Sequence, residues 1–556
     1  MSHRILNCIR AGLVVLVLCV TGVSAQTTDP VALAISAELD AITTSGVSKV
    51  HGVDIAMTDL LHQFYSRRQF QPAWTQPQVT AQLRKALADS HEDGLDPADY
   101  YLPLLEELST QAEAAGAMAV TRGQYDILMT EALLRLGYHL SFGKVDPQSF
   151  DPQWNYGRTL ARMDVAEQIE QAIAARDVYQ RLEALKPTHP LYRGVRRELA
   201  RYRDIEAHGG WSTFAAGPTI KPGMSDERVP GLRQRLIATE DLPADAAVDS
   251  ILYDAAIEAA VRQFQQRMGL DVDGSIGPAT VAELNVTPAQ RIRQLRVNLD
   301  RGRILLQDLP EEFVVVNIAG YTVYLIRGDQ IVWTARAQVG KSYRQTPLFR
   351  SEISYVVFNP TWTVPPGIIQ NDILPAARRD PGSITRKGLK VLDRNGREVS
   401  PSSVDWSRYR SGNIPYTLRQ DPGPDNALGR VKLMFPNSYL VYLHDTPSQA
   451  LFERADRSFS SGCVRTERAL ELAERVLNDP DRWNAAAIAR TVASGQLQNV
   501  TLKKKMPVLL AYWTAWSDPQ GSMNFRRDVY GQDARWLTAL NAPFRIRARP
   551  LFETAE

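Results

Sequence analysis

At Phe313 the spacing of apolar residues changes, and this constrains the fold more than any other feature of the chain. Up to about residue 212 the apolar positions recur at three and four, as in MTDLLHQFYSRRQF and YDILMTEALLRLGYHLSF. That is the period of an amphipathic helix. Connections such as EDGLDPADY and GKVDPQSFDPQW carry the Gly, Pro and Asp of turns. Beyond Phe313 the period is near two. FVVVNIAGYTVYLIRGDQIVWTARAQVGK reads as three strands turning at Ala319-Gly320 and Arg327-Gly328-Asp329. SEISYVVFNPTWTVP, GRVKLMFP, YLVYLHD and KMPVLLAYWTAW continue the pattern. The two periods predict a multidomain α+β chain, with a helical scaffold over 30–212 and a mostly β domain over 311–550. The segment 206–231, rich in Gly and Pro, marks a boundary between them. After it, Tyr253, Ile257, Val261, Phe264 and Met268 form one helical stripe, and Pro278 suits the first turn of a second helix. A compact helical unit is expected over 225–302.

The N-terminus, MSHRILNCIRAGLVVLVLCVTGVSAQ, has a basic lead, a short apolar run and Val23-Ser24-Ala25. This is the pattern of a secretory signal over residues 1–25, and the run is short for a membrane span. Left uncleaved, it would anchor the chain in the inner membrane. Leu18 before Cys19 argues against a lipoprotein. Removing the segment takes away Arg4 and Arg10 and no acid, so 64 basic and 62 acidic residues become 62 and 62. A balanced chain is not built for non-specific nucleic-acid binding. Cys8 and Cys19 also leave, and the one remaining cysteine, Cys463, cannot form an internal disulfide. Its thiol is either reactive or a small buried hydrophobe.

Within the β domain, residues 371–428 are dense in Arg, Asp, Pro and Gly. With few apolar positions the insertion is expected to bury no core of its own and to act as a mobile cover. The stretch HDTPSQALFERADRSFSSGCVR, from His444 to Arg465, holds the last histidine and the last cysteine. His444 ends a strand. Cys463 is expected just ahead of a helix N-capped by Thr466, beside Arg465, a setting that favours a thiolate. The histidine then exchanges the proton, and the main-chain N–H groups of Ser461, Gly462 and Cys463 form an oxyanion site. One Cys and one His make no closed zinc site, so neither a metal nor an organic cofactor is expected. A papain-like peptidase places Cys before His, the reverse of this order. A sortase-like transpeptidase keeps the order but has a longer gap and a Thr-containing nucleophile motif.

Two resemblances add to this reading. AVRQFQQRMGLDVDGSIGPATVAEL is similar to the peptidoglycan-binding repeat VxxFQxxxGLxxDGxxGxxTxxxL of cell-wall hydrolases. HDTP…SFSSGCVR resembles the L,D-transpeptidase signature, with VGK…TPLF and FNPTWTVPPGII upstream. FYSRRQFQPAW, GLDPADY, FGKVDP and YWTAW…MNFRRDVYGQD extend the likeness to the large L,D-transpeptidases of Gram-negative bacteria. The resemblance implies a periplasmic cross-linking enzyme of cell-wall biogenesis, acting on peptidoglycan stem peptides and open to acylation by carbapenems. Cys463 is the nucleophile and His444 the base; Arg465, Tyr442, Trp362 and Ser460 face the substrate. The alternatives are a lapsed peptidoglycan-binding scaffold or a relative that attaches a lipoprotein. The acceptor, the partner synthases and the group that orients His444 are left open.

Overall fold

The computed structural model describes residues 29–45, 48–156, 164–246, 249–328 and 330–544. The expected signal segment, Asp329 of the expected turn and residues 545–550 lie outside them. Among the described residues no helix is long and apolar enough to cross a membrane. The N-terminal part is helical, as its period predicts. Its central helix, α1 (Ala119–Phe142), is buried on nearly every side. α2 (Pro190–Ala207) closes the scaffold. The next unit contains α3 (Ala255–Met268), which ends in a left-handed Gly269, and α4 (Pro278–Leu284) with proline at its start. α5 (Pro288–Leu305) opens with a Thr287/Gln290 capping box.

The β-rich part contains β1 (Glu312–Asn317), β2 (Thr322–Arg327), β3 (Gln330–Gly340) and β4 (Phe349–Phe358). A cap follows, built on β5 (Trp362–Thr363), β6 (Lys390–Leu392), β7 (Glu398–Val399) and β8 (Thr417–Gln420). The chain then returns through β9 (Val431–Met434), β10 (Leu443–His444), β11 (Ser458–Ser460), β12 (Val464–Thr466), α6 (Ala469–Leu477) and β13 (Gln498–Ala511). β14 (Ala515–Ser517), β15 (Met523–Phe525) and α7 (Gln532–Leu540) end it. The main sheet runs β11-β3-β12-β10-β9-β4-β13-β1-β2, and β2 pairs back onto β3, so the sheet closes through that long strand.

The unbroken apolar run of β1 has a direct cause. Val314 and Val316 face the core of the closed sheet, while Phe313 and Val315 belong to the core of the helical body. β13 does the same, with Val508 and Leu510 on one side and Leu509 and Ala511 on the other. A strand buried on both faces loses its alternation.

The cap departs from the sequence expectation. β5-β8-β6-β7 form a sheet of their own, and Val364, Ile373, Leu374, Ile384, Val391, Trp406 and Leu418 are buried together beneath it. Each fully buried large side chain contributes roughly 1.5–3 kcal/mol, so the cap is a folded unit and not a coreless loop. Apart from Ile369, Ile373, Leu374 and Ala377, its buried residues stand apart from one another among polar, Gly and Pro positions and form no periodic run.

Candidate active site

The sheet register assembles the site. Lys432 on β9 lies opposite His444 on β10, His444 opposite Arg465 on β12, and Arg465 opposite Gln338 on β3. Residues directly opposite one another share a face, so these four side chains form one row across four strands. Leu443 and Val464 alternate onto the other face and are fully buried in the core. Tyr442, two residues before His444, and Cys463, two before Arg465, therefore stand beside the row. Cys463, just ahead of β12, is thus one diagonal step from His444 on the parallel neighbour β10.

His444 is buried, and its Nδ1 lies 2.5 Å from the Asp445 carbonyl oxygen. A carbonyl only accepts, so Nδ1 carries the proton and Nε2 is the lone-pair nitrogen. The Asp445 carboxylate is engaged elsewhere, accepting from Arg430 N–H at 2.9 Å and from Gln449 Nε2 at 3.1 Å. Burial drives the His444 pKa down to about 3; the Arg465 charge adds to this, Lys432 adds less, and the Asp445 and Leu428 carbonyls pull partly back. The imidazole is therefore neutral across the physiological range.

The thiol is perturbed in the direction opposite to expectation. Burial raises the Cys463 pKa, and the Tyr442 N–H, Arg465, the Tyr442 hydroxyl and Lys432 offset only part of that rise. Sγ lies 4.0 Å from the Leu440 carbonyl, which can accept the thiol proton. Leu440 itself has φ +58° and a 77% exposed side chain. A non-glycine residue in this region next to reacting groups is the kind of local strain that functional sites retain. The resting pair is thus a neutral thiol and a neutral imidazole, one a proton source and the other a base.

The turn ahead of Cys463 is braced from within. Ser460 is buried; its Oγ donates to the Cys463 carbonyl at 2.5 Å and accepts from Gly462 N–H at 3.1 Å. Gly462 has φ +115°, and a Cβ there would meet nothing closer than 3.6 Å. Conformation, not space, demands glycine. The Gly462 carbonyl accepts from Thr346 Oγ1 at 2.8 Å. Ser461 is exposed and accepts at its Oγ from Arg344 Nη1 at 2.9 Å. Among the described residues the main-chain N–H groups of Ser461 and Cys463 have no protein acceptor, whereas that of Gly462 is already taken by Ser460.

Several expectations are corrected here. No helix follows Cys463 directly: β12 intervenes, Thr466 is buried within it, and α6 starts at Ala469 behind a left-handed Arg468. The helix dipole therefore gives the thiolate no help. Ser460 braces the turn and does not face the cleft. Trp362 belongs to the cap, where it pairs with Gln420 and packs on the cap core. Tyr442 and Arg465 do adjoin Cys463; Arg465 Nη1 donates to Gln338 Oε1 at 3.1 Å, and its buried Nε has no partner among the described residues. Sequence reasoning missed Lys432, whose Nζ sits 5.5 Å from the Tyr442 ring centroid, as well as Gln338 and Arg344. For Lys432 the signal was present: it is the one charge within the alternating strand Val431–Met434.

A cysteine and a neutral histidine on adjacent strands, under an inserted cap, have the make-up of an acyl-transfer enzyme. Comparison with known proteins gives the family. Residues 311–505 match the L,D-transpeptidase catalytic domain, residues 59–199 the Scaffold domain, and residues 225–284 the "Putative peptidoglycan binding domain". The chain carries all three, with the L,D-transpeptidase catalytic domain matched over residues 311–505. It is 36% identical over 256 residues to a Haemophilus influenzae protein named "Putative L,D-transpeptidase", a match covering 46% of this chain and 50% of that one. The match thus spans about half the length of that curated relative. Among solved structures, an L,D-transpeptidase from Xylanimonas cellulosilytica overlays with a TM-score of 0.18 at 16% identity, covering 53% of this chain and 99% of that one. A fused amidase/peptidase with a peptidoglycan-binding domain from Clostridium acetobutylicum gives 0.15 at 15%, covering 53% and 100%.

Proposed function

We propose that the chain is a periplasmic peptidoglycan L,D-transpeptidase that joins two stem peptides through their third residues. The observation carrying this reading is the neutral Cys463–His444 pair on neighbouring strands. His444 Nε2 takes the thiol proton as Sγ adds to the carbonyl of the third residue of a donor tetrapeptide. The resulting oxyanion is held by the N–H groups left open at Ser461 and Cys463. Collapse breaks the amide bond, the histidine returns the proton to the departing amine, and D-alanine leaves a thioester on Cys463. The side-chain amine of an acceptor's third residue then attacks the thioester, passing its proton through His444 back to the thiol. Lys432 and Arg465 favour negative charge on sulfur and disfavour a lasting imidazolium, so the proton is released readily to the leaving group. The match of residues 225–284 to a putative peptidoglycan-binding domain supports peptidoglycan as the partner.

Intact-mass spectrometry after incubation with donor tetrapeptide alone tests this. One tripeptide acyl group per chain is expected on Cys463, none on Cys463→Ser as a labile thioester, and a much slower gain in His444→Gln. An adduct formed at the wild-type rate without Cys463 would place the nucleophile elsewhere.

A further inference from the structure

Arg344 lies on the loop after β3, and that loop is fastened to the turn that carries Cys463. Lys341 N–H donates to the Ser460 carbonyl at 3.1 Å, and Arg344 N–H to the Lys341 carbonyl at 2.8 Å. A Cβ on Gly340 would lie 2.1 Å from the Arg344 carbonyl oxygen, so the loop folds directly back on its own strand. The Arg344 backbone is thereby fixed close to the nucleophile. Its guanidinium makes two side-chain bonds among the described residues, both through Nη1: 2.9 Å to Ser461 Oγ and 2.5 Å to Asp372 Oδ2. Asp372 comes from the cap, in the turn Ile369–Ile373, and its side chain is 44% exposed against 19% for Arg344.

This arrangement is unusual for a structural ion pair. Arginine presents a planar fork suited to two parallel bonds with a carboxylate, yet here one nitrogen serves both partners and the rest of the fork is unused. A one-point, partly exposed pair is weak and easily exchanged. The donor, on the reading proposed above, ends in a free carboxylate one residue beyond the carbonyl that Cys463 attacks. Arg465 and Lys432 are set in the strands around the sulfur, and Arg465 is already bound to Gln338. Arg344 is the cation with an open fork at the outer edge of the turn. The geometry points to Arg344 as the receptor for the C-terminal carboxylate of the donor peptide, with Asp372 occupying that receptor in the empty enzyme. Substrate entry then exchanges one carboxylate for another and releases the cap from the catalytic turn.

The inference rests on the proposed reaction, and the test separates the two. kcat/KM is measured for a tetrapeptide donor ending in free D-alanine and for its C-terminal amide, with release of D-alanine or D-alaninamide read by mass spectrometry. Wild type should prefer the acid, and Arg344→Gln should lower kcat/KM for the acid about ten- to a hundredfold and collapse that preference. Arg344→Lys, which keeps the charge without the fork, should retain part of it. Asp372→Asn should act in the opposite direction and raise kcat/KM for the acid several-fold by removing the internal competitor. An acid-over-amide preference that survives Arg344→Gln, or an Asp372→Asn loss matching that of Arg344→Gln, overturns the assignment. A wild-type chain that releases neither product overturns the proposed reaction instead.

Discussion

The His444 Nδ1 proton is held by a main-chain carbonyl, and the ring sits among two cations in a buried row. This fixes how the site titrates. In the unfolded chain a histidine has a pKa of about 6.5; in the fold it is driven down to about 3. Between those values the unfolded state binds more protons than the native one. The stability tied to His444 is therefore fully present above pH 6.5 and is lost as pH falls toward 3, with a slope of up to ~1.4 kcal/mol per pH unit. His444→Gln should lose less stability than wild type between pH 6.5 and 4 in urea-midpoint measurements, since the other titrating groups are common to both. Equal slopes would mean that the ring is not held neutral. At this scale the sequence made Cys463, His444 and the need for Gly462 legible, because rare residue types stood together. It did not reveal the direction of the thiol shift. That depends on the burial of Cys463 and on β12 replacing an expected helix, and both are consequences of register.

At the scale of elements, strands were legible where one face meets water or where apolar runs are long. In sequence the cap resembles a coreless cover, because most of its buried residues are separated by polar and charged positions. Its core gives a different picture of motion. A segment closed over Trp406, Leu418 and Val391 should move as a body about its ends, through contacts such as Arg344–Asp372, and not melt residue by residue. Leu418 pairs with Val391 across β8 and β6, so hydrogen exchange at both amides should be slow compared with the exposed turn at Asn395. Trp406→Ala removes a side chain whose loss from a core costs ~3–5 kcal/mol. It should abolish that protection while leaving Val314 and Val508 protected in the main sheet. Rapid exchange at Leu418 and Val391 in wild type would restore the picture of a coreless loop.

Across the whole molecule, the catalytic sheet is not an independent module set beside helices. Phe313, Val315, Leu509 and Ala511 share a core with the scaffold and the compact unit, and Trp513, Met523, Phe525 and Trp536 return to that core after the last long strand. α5 is the spine of this arrangement. Asp300 accepts from Lys144 N–H at 2.7 Å and from Trp536 Nε1 at 2.8 Å, and Asn298 Nδ2 donates to Thr514 Oγ1 at 2.8 Å. Tyr156 reaches from the scaffold to the carbonyls of Phe349 and Leu510 at 2.7 and 2.8 Å. The change of period at Phe313 revealed two kinds of structure, but not that their surfaces are continuous, because contacts between residues hundreds of positions apart leave no local pattern. We propose that this whole body carries out acyl transfer between stems. The most direct test is the product made by the intact chain from tetrapeptide-bearing muropeptides, analysed by tandem mass spectrometry. The account predicts dimers joined between third residues, one D-alanine released per cross-link, and no dimers from Cys463→Ala. Dimers joined through a fourth residue, or equal yields from the Cys463→Ala chain, would contradict it.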